Sequence, residues 1–152
     1  MIGPTAPTLW TESITPAFGA TSTEQFSIRF TNTGGGLTFR AVQLLINSSL
    51  DGANACYLGY DRVGNVLYLL NDAGTALLNP GIVPGSGSGT VENNQCRLNG
   101  NGTTMSESGE SMTLRVNLTF KPAFRGPRIL FNGVQTATGN SGWGATGAWN
   151  VP

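Results

Sequence analysis

The decapeptide SMTLRVNLTF, residues 111–120, alternates apolar and polar side chains without a break. In an extended backbone successive side chains point to opposite faces. Met112, Leu114, Val116, Leu118 and Phe120 therefore share one face, and Thr113, Arg115, Asn117 and Thr119 share the other. A sheet with one buried and one solvated face requires this pattern. EQFSIRFTN, residues 24–32, repeats it with Phe26, Ile28 and Phe30 on the apolar side. No stretch sustains the three-and-four spacing of an amphipathic helix without interruption by Gly, Pro or β-branched residues. The chain reads as all-β.

Further strands are expected in TLWTESITP, LTFRAVQLLIN, NACYLGYD, NVLYLLND, VENNQCRLN, PRILFNGVQT and ATGAWNVP. Between them lie the turn clusters TGGG, SSLDG, RVGN, PGSGSG, NGNG, ESGE and TGNSG, which use many of the 22 glycines. Roughly nine short strands punctuated in this way predict an antiparallel β-sandwich. The only linker-like segment, PGIVPGSGSG, is too short to separate two domains, so residues 1–152 are read as one domain. On the last strand Trp149 shares parity with Ala145 and Val151, which marks it as the core tryptophan.

Composition narrows the function. Charged residues make up 11% of the chain and the formal net charge is zero. One lysine and seven arginines are spread singly, so there is no basic stripe to neutralise phosphates, and no nucleic-acid partner is expected. No apolar run approaches the ~20 residues that span a bilayer, which argues against membrane insertion. The opening MIGPTAPTLW lacks the basic start and apolar centre of a signal peptide, as expected of a module cut from a longer secreted precursor.

Cys56 and Cys96 are the only cysteines, and there is no histidine. Two cysteines alone cannot complete a tetrahedral zinc site, so no metal or cofactor is predicted from them. They are either two buried thiols or one disulfide. Few charges, almost no lysine and many Thr, Ser, Asn and Gly suit an oxidising, extracellular setting, which favours the disulfide. Closing a loop of about 40 residues contributes ~4 kcal/mol in the chain-entropy model.

The stretch YDRVGNVLYLLNDAG, residues 60–74, has two readings. As a hairpin, two strands meet at RVG, and Asp61, Asn65, Asn71 and Asp72 bond local backbone at the turns. As a Ca²⁺ site, Asp61, Asn65 and Asp72 supply too few of the six to eight oxygens required, and the glutamate-terminated EF-hand spacing is missing. The hairpin is preferred. Without histidine the commonest general base is gone, and no catalytic residue is assigned. Glu107 and Glu110 read as a solvated hairpin tip. Lys121 reads as an exposed cation lying over a strand end, the rival being an amide crosslink to an asparagine.

Trp143 and Tyr57 are the candidate ligand-binding residues. Tyr57 has the opposite parity to Cys56, Leu58 and Tyr60 and is expected to face outward. Trp143, in GNSGWG, is the best exposed-aromatic candidate. Its competing role is a plug over one open end of the sandwich.

Several segments together resemble an immunoglobulin-like module of large secreted bacterial proteins, especially of the acidobacterial type. They are NSSLDGANACYLGYDRVGNVLYLLNDAG, NNQCRLNG, MTLRVNLTFKPAFRGPRILF and GNSGWGATGAWNVP. The resemblance covers roughly residues 40–152. It implies a β-sandwich, a bond between Cys56 and Cys96, and a place beside neighbouring extracellular domains of a parent protein. It implies no reaction and no established ligand. The expected function is a non-catalytic structural, adhesion or spacer module of a secreted or cell-surface protein. The alternative is a carbohydrate-binding module that takes polysaccharide on Trp143 and Tyr57.

Overall fold

The computed structural model describes residues 10–32, 39–136 and 141–152. The expected TGGG turn and the first three residues of TGNSG lie outside them. The described strands are β1 (Trp10–Thr15), β2 (Phe18–Gly19), β3 (Thr23–Asn32), β4 (Phe39–Asn47), β5 (Cys56–Asp61) and β6 (Val66–Leu69). They continue with β7 (Thr90–Glu92), β8 (Cys96–Ser108), β9 (Ser111–Phe120), β10 (Gly126–Thr136) and β11 (Gly144–Val151). Among the described residues a single 3₁₀ turn, Pro122–Phe124, falls in the KPAF segment, where Pro122 suits the first helical position.

The strands form two sheets. One has the order β1-β3-β9-β8-β7 and the other β2-β11-β10-β4-β5-β6. All pairings are antiparallel except the short β2–β11 contact. The order β1-β3-β9-β8 facing β11-β10-β4 is that of the immunoglobulin sandwich, and β5 and β6 extend the second sheet as in its variable type.

The alternating segments fill the space between the sheets. Phe26, Ile28, Phe30, Leu114, Val116, Leu118 and Phe120 all join the core, from 0% to 3% exposed, as their parity requires. Each such side chain, taken fully out of water, stabilises the fold by ~1.5–3 kcal/mol. Trp149 is buried as expected, edge-on to Phe26 at 4.9 Å, with its indole N–H donating to Thr21 O. Ala145 does not share its face. A bulge opposite Leu130 and Phe131 shifts the register, so that Ala145 pairs with Phe131 while Trp149 pairs with Arg128.

Two other expectations are corrected. VENNQCRLN is not one strand: the chain turns at residues 93–95 and β7 folds back on β8. NGNG is not a turn between strands but a wide bulge inside β8, where pairing with β9 jumps from Asn99 to Thr104. Its extra residues are held by Asn117, which donates to Asn101 O, and by Gln25, which donates to Gly102 O. Gly100 is needed there because a Cβ would lie 1.9 Å from Ser88 O. The PGSGSG segment therefore packs against the bulge instead of forming a free linker.

Candidate functional site

The disulfide is formed. Cys56 on β5 and Cys96 on β8 are both fully buried and bonded, with their Cα atoms 5.7 Å apart, so the bridge joins the two sheets. Antibody domains join a different strand pair, the second strand and the sixth; the bridge here lies at one corner. Asn93, 7% exposed, organises that corner. Its Nδ2 donates to Ala55 O and Leu70 O, and its Oδ1 accepts from the Gln95 and Cys96 amides. Asp72 accepts from both the backbone and the side chain of Asn94.

Lys121 belongs to the same corner. Its ammonium donates to Glu92 Oε1 at 2.9 Å and to the backbone carbonyl of Asn93 at 2.6 Å. It is a paired cation, neither lone nor crosslinked to Asn93, whose side-chain amide is committed elsewhere. The lysine holds the exposed Glu92 carboxyl below the usual carboxylate range, by hydrogen bonding first and charge second. These groups line a cleft of about 230 Å³.

The hairpin reading of residues 60–74 holds, with a four-residue loop, 62–65, in place of the expected three. Asn65 takes a positive φ of 54° and accepts from the Tyr60 hydroxyl. Asp61 accepts from Val63 N–H and Asn71 from Thr75 N–H, as turn residues do. Asp61 and Asp72 sit at opposite ends of the β5–β6 pair. Among the described residues no three acidic or cysteine side chains gather in a metal-binding group. Glu107 is not simply solvated: it receives two hydrogen bonds from Arg62, whose guanidinium also lies 4.7 Å over the Phe39 ring.

The outer face of the six-stranded sheet brings the two candidate aromatics together. Tyr57 points outward from β5, as its parity predicts, and its ring centroid is 5.9 Å from that of Trp143. The planes cross at 69°, edge to face. Both residues are half-buried. Trp143 therefore does not plug an end of the sandwich. It lies on the sheet above Gly133, where a Cβ would sit 3.6 Å from the ring. Leu45, paired with Tyr57 on one side and Phe131 on the other, is only 3% exposed although it faces away from the inter-sheet core.

The loop carrying Trp143 is pinned by Ser141, which accepts from Val134 N–H and donates to Glu12 Oε1. Burial pushes the Glu12 carboxyl above its ordinary range, and the Ser141 bond offsets part of that rise. Burial likewise raises the Tyr57 phenol.

Beside this aromatic ridge runs a groove of about 440 Å³. Gln43 and Gly59 form its floor, Tyr68 and Leu77 one wall, and Gln135 and Asp61 its far side. Residues 70–82 place Leu77 there by folding back along β6, through paired Leu67–Ile82 bonds and the Leu70–Leu77 bridge. The sequence reading missed this groove. Its signal was the outward parity shared by Gln43, Gly59 and Tyr68, which only the strand register aligns in one row.

No known protein-family model matches the chain, and no curated protein matches it.

Proposed function

We propose that the chain is a non-catalytic module of an exported or cell-surface protein, acting as a structural spacer, display or adhesion unit between neighbouring domains. The observation that carries this reading is the disulfide joining the two sheets, set in a corner where the side chains of Asn93, Asp72 and Lys121 are hydrogen-bonded. Such a staple constrains the unfolded chain and persists where thiols are oxidised. No helix among the described residues is long and apolar enough to cross a membrane. The sequence has no histidine, and Glu107 and Glu92 are engaged in ion pairs with Arg62 and Lys121, which fits a non-catalytic role.

Polysaccharide binding on Trp143 and Tyr57 is the second reading. It draws support from their common face, but crossed ring planes offer no shared flat surface for stacking a sugar chain. Their arrangement is that of a packed pair. The test of the main reading is mass spectrometry of the native protein from fractionated cells. The Cys56–Cys96 crosslinked peptide should be recovered from the extracellular or envelope fraction. Recovery from cytoplasm with both thiols free would sink the proposal.

A further inference from the structure

We infer that the groove beside the aromatic ridge is a binding site for one or two sugar rings of an uncharged glycan. This goes beyond the spacer reading, which stands whether or not the groove binds. The volume of about 440 Å³ falls within the range of small-ligand sites. The lining includes the aromatic Tyr68 and the apolar Leu77, with amide groups from Gln43 and Gln135. Pyranose rings present an apolar CH face and an equatorial rim of hydroxyls. Carboxamides suit that rim because each offers both donor and acceptor to neighbouring hydroxyls.

Three observations single out this occupant. First, the side chains of Gln43, Tyr68 and Gln135 have no hydrogen-bond partner among the described residues, unlike those of the stapled corner. Gln43 and Tyr68 are half-buried as residues, and their side-chain polar atoms still reach the surface, open to a ligand. Second, the floor is open. A Cβ added at Gly59 would meet nothing within 4 Å, so glycine there leaves room that neither packing nor a positive φ requires. Third, the charges balance. Arg40 and Asp61 both line the groove, giving it one cation and one carboxylate and no net pull on a phosphate or a metal ion.

Tyr57 and Trp143 are not part of the groove lining; they buttress the adjoining face. The site is therefore distinct from the aromatic pair that the sequence suggested.

The experiment uses the intact chain against a panel of neutral hexasaccharides: β-1,4-glucan, xylan, mannan, chitin and α-1,4-glucan fragments. An array identifies the binder and titration calorimetry measures it. Gly59→Val fills the floor with a strand-favouring side chain and should weaken binding more than tenfold while leaving the unfolding midpoint unchanged or raised. Tyr68→Ala should weaken it by a similar factor. Trp143→Ala should change affinity less than threefold. The inference is overturned if no member binds with a dissociation constant below about 1 mM. It is equally overturned if binding survives Gly59→Val, or if it is lost with Trp143→Ala and kept with Tyr68→Ala.

Discussion

Two clefts in this molecule are built from the same kinds of side chain and differ in where their hydrogen bonds go. At the stapled corner, Asn93, Asn94, Asp72, Lys121 and Glu92 bond to one another and to backbone around the Cys56–Cys96 bridge. In the groove on the outer sheet face, the side chains of Gln43, Tyr68 and Gln135 bond to nothing among the described residues. Burying a polar group costs free energy unless it is paired. The corner offsets most of that cost internally, Gln95 Oε1 being a buried oxygen there without a partner, and becomes part of the fold. The groove leaves its capacity directed outward, which is how a surface that meets another molecule differs from one that only holds itself together.

The comparison breaks first, if it breaks, at the bridge. Replacing both Cys56 and Cys96 with alanine should lower stability by about 4 kcal/mol, measured by urea unfolding. A loss below about 1 kcal/mol would mean that the corner does not depend on its staple. Next in size is Asn93→Ala. It strips partners from two carbonyls and two amides and should cost about 3 kcal/mol, since each buried group left unpaired is penalised.

Trp143→Ala sharpens the comparison from the other side. The ring is half-buried over Gly133 and edge-on to Tyr57, so a loss of about 2 kcal/mol is expected, below the ~3–5 of a fully buried aromatic. A stability unchanged by this substitution would make Trp143 a free surface ring after all.

Glu12→Gln tests the loop that seats Trp143, and its sign depends on pH. Burial raises the folded-state pKa of Glu12 above the ordinary 4.5, so the folded protein holds that proton more tightly than the unfolded chain. The resulting stabilisation is complete below pH 4.5 and is lost as pH rises through the higher folded value. At neutral pH the charged carboxylate is a net cost. Glutamine should therefore stabilise the fold slightly at pH 7, by less than about 1 kcal/mol after solvent screening, read as a small rise in the thermal midpoint. The gain should vanish in the same measurement under acid, and a gain that grows on acidification would contradict the sign. Smallest of all, Gln43→Ala should leave stability within about 0.5 kcal/mol of the parent, because no internal partner is lost. A larger loss would show that the groove, like the corner, serves the fold.

Much of this architecture was legible in the amino-acid order alone. Strand β9 and the inward set Phe26, Ile28, Phe30, Leu114, Val116, Leu118 and Phe120 follow from period-two alternation, a property of the backbone at each residue and its neighbours. The outward direction of Tyr57 follows in the same way, once Cys56 is taken as buried. Tertiary structure decided what alternation cannot reach. The bulges in β8 and β11 insert residues that reset parity, which is why NGNG looked like a turn and Ala145 looked like a companion of Trp149. The seat of Trp143 on Gly133, and the row of Gln43, Gly59 and Tyr68, join residues from strands distant in sequence. Which strands become neighbours, and in what register, is set by the packing of the whole sandwich. A local sequence pattern specifies the faces of each strand, but only the assembled sheets specify which outward faces adjoin.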